Sequence, residues 1–160
     1  MKHFIQSICS IILALFLAGC GASESQPKYV GEVSRNAEKE ALENIQLYME
    51  DTDIATDADE VVFYISNHGD EEFLYDSEWF LEVLYEDVWH SVPIKLPDDV
   101  PGNGNIGFSQ VATILRPGKT NKKILTFYIY NYQFKSGTYR WVQYVGAEDK
   151  IISVEFQMVE

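Results

Sequence analysis

The chain has little cysteine, few bases and no long apolar segment, and each shortage excludes a class of protein. Its 160 residues contain two cysteines, and 12 Lys and Arg stand against 25 Asp and Glu, for a formal net charge of −13. So acidic a chain repels nucleic acid, whose binding depends on neutralising phosphates, and it also repels anionic lipid headgroups. We interpret the acidity chiefly as a means of solubility.

The sequence also lacks signatures of catalysis and of cofactor binding. No Gly-x-Ser-x-Gly elbow occurs. The glycine-rich stretch 101–105 is followed by neither a helix pattern nor a lysine that could hold a phosphate. Adjacent acids such as Asp98-Asp99 are more typical of solubilising turns than of a glycosidase pair. We therefore predict no catalytic residue, no cofactor and no enzymatic activity.

The strongest motif is Leu17-Ala18-Gly19-Cys20, at the end of the mostly apolar stretch Phe4–Ala18. A weakly positive start, an apolar run and a small-residue ending are typical of a signal peptide. A membrane-spanning helix needs about 20 apolar residues, whereas this stretch is shorter and is interrupted by polar residues. The motif resembles the lipobox of bacterial lipoproteins. That resemblance implies cleavage after Gly19, lipid on Cys20 and attachment to the extracytoplasmic side of the cell membrane; a plain signal peptide cut elsewhere is the alternative.

Removal of residues 1–19 changes the inventory of reactive side chains. Cys9 leaves with the signal peptide, Cys20 carries lipid, and His68 and His90 are the remaining histidines. The mature domain then has no thiol for a disulfide or a closed zinc site. Loss of Lys2 leaves 11 bases against 25 acids, a formal charge of −14. The 141 residues that remain are enough for one domain that relies on its own core.

Residues 20–44 are predicted to be a lipidated tether. Gly21–Lys28 is small and polar, as in a flexible linker. The composition of Val33–Asn44 favours a helix, which Ser34 or Asn36 could cap. A short helix at the edge of the domain and an unstructured stretch remain equal alternatives.

Residues 45–160 are predicted to form an all-β domain. Ile45, Leu47 and Met49 alternate with more polar residues, as in a strand with one buried face. An acidic loop, Asp51–Glu60, follows, and Glu86-Asp87 is a two-residue turn candidate. With turn signals between most of the strands, about seven to eight short strands indicate a sandwich. After the strand at Ile45, the predicted strands are Val61–Ser66, Trp79–Tyr85, Val88–Ile94, Ser109–Leu115, Lys123–Tyr132, Thr138–Val145 and Ile151–Val159.

Four segments in this region also resemble the bacterial Ig-like domain found in small lipoproteins. They are Ile65–Glu72, Phe80–Pro93, Leu115–Lys119 and Ser136–Arg140. The resemblance covers Ile45–Val159 and implies an Ig-like antiparallel β-sandwich without catalytic function. It departs from antibody-type domains because no cysteine pair joins the sheets. Trp79, Trp89 and Trp141 are then core or near-core candidates.

Two of these segments predict specific local structure. Pro117-Gly118 should form a tight turn, since proline presets φ and glycine supplies a positive φ. Gly137 should start the next strand. The resemblance places Tyr139 at a tyrosine corner, with its hydroxyl bonded to nearby backbone.

The densest acidic cluster consists of Asp51, Asp53, Asp57 and Asp59. Calcium prefers several carboxylate and carbonyl oxygens, so these residues are weak candidates for a Ca²⁺ site. An EF-hand template fails, because Thr56 stands where that loop needs glycine and Val62 where it needs glutamate. A solvated turn is the favoured interpretation.

The predicted strand Lys123–Tyr132 carries tyrosines at alternate positions, Tyr128, Tyr130 and Tyr132, which would therefore share one face. If that face is exposed, these tyrosines would suit contact with protein or carbohydrate. Packing across the outer face of the sheet is the alternative. The sequence therefore favours a lipid-anchored interaction or accessory domain at the cell surface, with an unknown protein or carbohydrate partner. The alternative function is a solute- or Ca²⁺-binding lipoprotein.

Overall fold

The computed structural model describes residues 31–36, 40–75, 79–95, 111–145 and 150–160. These ranges contain eleven strands and one short 3-10 helix, Phe127–Ile129. The strands are β1 (Glu40–Ala41), β2 (Ile45–Tyr48), β3 (Asp53–Ala55), β4 (Glu60–Asn67), β5 (Phe73–Tyr75), β6 (Trp79–Tyr85), β7 (Val88–Ser91), β8 (Thr113–Leu115), β9 (Thr120–Thr126), β10 (Gly137–Val145) and β11 (Lys150–Val159).

The strands form three sheets. A six-stranded sheet has the order β1-β11-β10-β6-β7, and β3 pairs with the other end of β11. A three-stranded sheet has the order β2-β4-β9, and β5 pairs with β8. The pairing is antiparallel except where β1 and β3 meet β11. The nearly all-β fold confirms the predicted Ig-like sandwich.

The core lies between the three-stranded and six-stranded sheets. Phe63 of β4 contacts Trp141 of β10, with ring centroids 4.4 Å apart. Ile65, Leu125 and Leu81 are almost completely buried. Because side chains alternate along a strand, each of these strands turns its apolar set inward and leaves its other set on an outer face.

Two predicted turns are confirmed. Glu86 and Asp87 have φ values of 50° and 62° and join β6 to β7, as a tight hairpin turn requires. Gly118 has a φ of 68°, and the amide of Lys119 donates to the carbonyl of Arg116 over 3.1 Å. Gly137 starts β10, as predicted.

Three predictions about element bounds are corrected. The acidic loop contains β3, because Asp53–Ala55 pairs with the end of β11. The strand predicted to run to Tyr132 ends at Thr126, where the 3-10 helix begins. A further strand, β5, pairs with β8.

The described part of the predicted tether packs on the domain and contains a turn at Arg35-Asn36 and the short strand β1, so the helix considered for Val33–Asn44 is not found there. Val33 bridges to His90, and the amide of Ser34 donates to the carbonyl of Trp89 over 2.8 Å. These contacts lie beyond the β7 edge of the six-stranded sheet, whereas β1 lies on β11 at the opposite edge. Val33 and β1 therefore lie at opposite edges of this sheet.

Candidate functional site

The outer face of the three-stranded sheet carries a row of side chains across all three strands. Tyr48 of β2 is in register with Tyr64 of β4, which is in register with Lys122 of β9. The two tyrosine rings stack, with centroids 5.3 Å apart and planes 21° apart. Both tyrosines are half-exposed, and Lys122 is exposed. We call this surface the open face; it consists of Gln46, Tyr48, Val62, Tyr64, Lys122 and Ile124.

The open face combines aromatic, apolar and charged groups. Val62 pairs in register with Ile124, and Ile124 is 56% exposed. Partial desolvation raises the pKa of Tyr64, and a hydrogen bond to the Glu50 carboxylate and its charge raise it further. Stacked tyrosines provide rigid contact area with a polar tip, so this surface can bind a partner without catalysing a reaction.

A basic turn continues from the open face along β9. Ile114, Leu115, Arg116, Lys119, Thr120 and Asn121 line a surface groove with a volume of about 360 Å³. The guanidinium Nε of Arg116 lies 3.4 Å from the Glu72 carboxylate, and both side chains are largely exposed. An exposed pair of this kind stabilises weakly, so Arg116 keeps most of its capacity to bind an anion.

Asn67 holds this turn in place and links two of the segments that carry the family resemblance. Its side-chain amide donates to the carbonyls of Glu71 (2.8 Å) and Leu115 (2.9 Å). Its backbone also exchanges hydrogen bonds with Lys119 and Gly118. Asn67 is 1% exposed, so the hydrogen bonds that hold this turn are made by a buried residue.

The tyrosines predicted to form an exposed ladder do not share a face. Tyr128 is 65% exposed, Tyr130 is 3% exposed, and Tyr132 packs against the core. The 3-10 helix changes the direction of the side chains, so alternation along a strand no longer applies. The hydroxyl of Tyr130 is buried and has no hydrogen-bond partner among the described residues, and burial raises the pKa of Tyr130. The prediction that these three tyrosines form one interaction face is therefore wrong. The tyrosines that lie together on an outer face are Tyr48 and Tyr64.

Tyr139 makes the backbone contact expected of a corner tyrosine. Its hydroxyl donates to the carbonyl of Lys135 over 3.0 Å, and the residue is 1% exposed. Burial raises the pKa of Tyr139, and its hydrogen bonds to Tyr132 and to the Lys135 backbone oppose that rise. Burial likewise raises the pKa of Tyr132. These hydroxyls belong to the fold rather than to a binding surface.

The acidic cluster does not assemble into a metal site. Asp51, Asp53, Asp57 and Asp59 are all exposed, and Asp51 accepts a hydrogen bond from the amide of Asp53 over 3.0 Å. In the part of the chain that the structure describes, no three His, Cys, Asp or Glu side chains come together in a way that could hold a metal ion. Asp53 lies in β3, and the other three aspartates lie in the segments before and after it.

Sequence reasoning missed a buried polar cluster on the outer face of the six-stranded sheet. Glu82 of β6 is 1% exposed and accepts from Arg140 Nε of β10 over 2.6 Å. Its other oxygen accepts from Ser34 Oγ over 2.5 Å and from Asn36 Nδ2 over 2.6 Å. The Arg140 guanidinium also lies 4.4 Å from the Trp89 ring centroid. We call this surface the covered face; it consists of Glu82, Trp89, Arg140 and Val142.

A signal for this cluster was present in the sequence. Glu82 is the single charge in the strand Trp79–Tyr85, and Arg140 stands alone between Tyr139 and Trp141. A lone charge inside an apolar strand is buried only when it is paired. Trp89, predicted to lie in or near the core, instead stacks on Arg140 on the covered face. Within the part of the chain that the structure describes, the side chains of Asn36 and Arg140 each have one buried polar atom without a hydrogen-bond partner.

The proposed lipidation site, Cys20, lies outside the described residues. No helix within the described ranges is long and apolar enough to cross a membrane.

Comparison with known proteins agrees with this geometry. A family model for the bacterial Ig-like domain matches residues 41–157. A search of curated proteins finds no match. Among solved structures, the chain is similar to the β-glucosidase EmGH1 from Erythrobacter marinus at 12% identity, over 72% of this chain and 15% of that chain, with a TM-score of 0.37. A likeness this weak carries no argument about activity.

Proposed function

Because the chain belongs to the bacterial Ig-like domain family, we propose that it is a non-catalytic accessory lipoprotein of the cell surface. Lipid on Cys20 anchors it to the extracytoplasmic side of the membrane. The open face of the three-stranded sheet binds a partner there. The observation that carries the binding role is the stacked, half-exposed pair Tyr48–Tyr64 beside exposed Lys122 and Ile124.

The anchor is supported by the lipobox-like residues Leu17-Ala18-Gly19-Cys20. A single acyl chain binds a membrane only reversibly, and two or more hold it stably. Since a chain this acidic gains little from anionic headgroups, the lipid must supply nearly all of the attachment. Replacement of Cys20 should therefore release the protein or block its processing.

Metabolic labelling with an alkyne fatty acid tests the anchor in cells. The native protein should take up the label and sediment with membranes. Cys20→Ala should lose both properties, whereas Cys9→Ala, in the segment that is removed, should keep both. Unchanged labelling and membrane retention of Cys20→Ala would refute the anchor.

Site-specific photo-crosslinking tests the binding face in the same cells. A benzophenone amino acid at position 64 should give a discrete adduct, because that position lies on the open face. The same group at position 128, which is also exposed, serves as the matched control and should give none. Adducts at position 128 alone would place the binding surface elsewhere.

A further inference from the structure

The bases of this acidic chain are concentrated along β9 and the turn before it. No Asp or Glu occurs from Val100 to Ala147, and four of the 12 bases lie within Arg116–Lys123. Lys119 and Lys122 are exposed, and neither forms an ion pair within the described residues. Lys123 lies over the Tyr75 ring at 4.9 Å. A strip of one charge sign on a surface of the opposite sign attracts a ligand to that strip alone.

The same strand offers backbone groups for pairing. β9 pairs with β4 on one side, and no strand of the described residues occupies its other edge. Apolar side chains flank this edge, since Ile124 is 56% exposed on β9 and Ile114 is 55% exposed in the groove. An extended peptide that adds to a sheet edge uses main-chain hydrogen bonds for affinity and alternate side chains for specificity.

We propose that the free edge of β9 binds an extended acidic segment of a partner protein by strand addition. The acidic side chains of that segment pair with Lys119, Lys122 and Arg116, and its apolar side chains contact Ile124 and Ile114. A second copy of this chain does not fit, because pairing β9 with β9 brings the same lysines face to face, an arrangement that deters edge-to-edge association. The proposal names the partner of the proposed interaction surface and therefore rests on that function.

The probe is a synthetic peptide of about seven residues, the length of β9, with a terminal fluorophore. Glu and Ile take turns along one face of the extended peptide, with Thr at the positions between them, because Lys122 and Ile124 lie on the same face of β9. Its affinity for the purified domain is measured by fluorescence anisotropy at low salt and again at about 0.5 M salt, where exposed charges are screened. The matched peptide is the fully N-methylated form, which has the same charges and side chains but no backbone donor. We expect binding of the first peptide, weakening with salt, and at least about tenfold weaker binding of the second.

Charge-reversal variants distinguish an effect of the basic residues along β9 from an effect of the domain's net charge. Lys119→Glu with Lys122→Glu should weaken binding at least about tenfold. Arg35→Glu, at an exposed site beside β7, is the control for a general charge effect and should change affinity less than about twofold. Lys119→Gln with Lys122→Gln provides a milder version, and thermal melts confirm that each variant folds.

Four results would overturn the proposal. They are absence of binding at millimolar peptide, equal binding of the N-methylated peptide, equal weakening by Arg35→Glu, and self-association of the domain that the Lys119→Glu and Lys122→Glu changes alter. Failure of the peptide to bind can be distinguished from failure of the proposed function. If position 64 gives a crosslinked adduct in cells but the domain does not bind the acidic peptide, the open face binds a partner of different chemistry.

Discussion

The two outer faces of the sandwich are built from similar residues and end in opposite environments. The covered face carries Glu82, Arg140 and Trp89, and the open face carries Tyr48, Tyr64 and Lys122. On the first, Ser34 and Asn36 bond to Glu82, and both Glu82 and Arg140 are buried. On the second, the aromatic and charged side chains remain half-exposed or exposed. The difference arises from a short N-terminal segment rather than from the strands themselves.

This comparison shows that a polar residue on an outer face is not by itself a sign of solvent contact. Val142 of the covered face is buried but lies outside the main core cluster, so an apolar side chain on this face is buried apart from the core. We call residues 31–36, whose Ser34 and Asn36 side chains bond to Glu82, the clamp.

The largest expected loss of stability comes from Glu82→Ala, which removes the buried carboxylate of the covered face. The change leaves the Arg140 guanidinium buried and unpaired, and it removes the acceptor of Ser34 and Asn36. Breaking a buried ion pair costs about 3–5 kcal/mol of the free energy of unfolding. Denaturant melts measure this loss. Glu155→Ala, an exposed acid in register with Arg140 on β11, is the control and should cost no more than about 0.5 kcal/mol.

A smaller loss is expected from Asn36→Ala, which weakens the clamp without removing a charge. The Asn36 amide donates to the Glu82 carboxylate over 2.6 Å. Hydrogen bonds to charged groups contribute about 1.5–3 kcal/mol. Arg35→Ala is the neighbouring control, since its contact with Glu32 is exposed and stretched to 3.8 Å. Equal stability of Asn36→Ala and the native protein would show that the segment does not hold Glu82.

Two buried tyrosines in the core allow the contribution of a single hydroxyl group to the free energy of unfolding to be measured. Tyr139→Phe removes the hydrogen bond from the tyrosine hydroxyl to the Lys135 carbonyl and should cost about 1–3 kcal/mol of the free energy of unfolding. Tyr130→Phe removes a hydroxyl that has no partner in the described ranges, so it should leave stability unchanged or raise it. Denaturant melts of the two variants should therefore rank Tyr139→Phe well below Tyr130→Phe; the reverse order would contradict both assignments.

The smallest effect on stability is expected from Tyr64→Ala on the open face. The change removes one cross-strand ring contact, and such pairs contribute about 0.2–1 kcal/mol. We expect melting curves close to native together with loss of partner binding. A loss of several kcal/mol would mean that Tyr64 belongs to the core and that the open face is not a binding surface.

The strand pattern could be predicted from the sequence because most strands alternate with period two. The turn at Glu86-Asp87, the turn at Pro117-Gly118 and the contact of Tyr139 follow from local chemistry and from the family resemblance. Phe127–Ile129 could not be predicted as a 3-10 helix, because its aromatic and β-branched residues favour a strand. Distant backbone groups decide its conformation, since the amide of Phe127 donates to Asp59 and the carbonyl of Ile129 accepts from Lys95.

The two outer faces could not be assigned from the sequence for the same reason. Which face is covered depends on where residues 31–36 lie, and their composition gave no period to follow. Their position is set by contacts with residues far along the chain, such as Ser34 with Glu82 and Val33 with His90. The open face was misplaced onto Tyr128, Tyr130 and Tyr132 because alternation was extended past the end of β9.

Amide hydrogen exchange at Ser34 tests the central difference between the faces most directly. Its amide donates to the Trp89 carbonyl over 2.8 Å in a segment that a simple tether would leave unprotected. We expect exchange of this amide to be at least about 100-fold slower than in an unstructured chain, which corresponds to about 2.7 kcal/mol of opening free energy. Glu82→Ala should abolish much of that protection. If the Ser34 amide of the native protein exchanged at the unstructured rate, residues 31–36 would not cover this face. The covered face would then be as accessible to solvent as the open face.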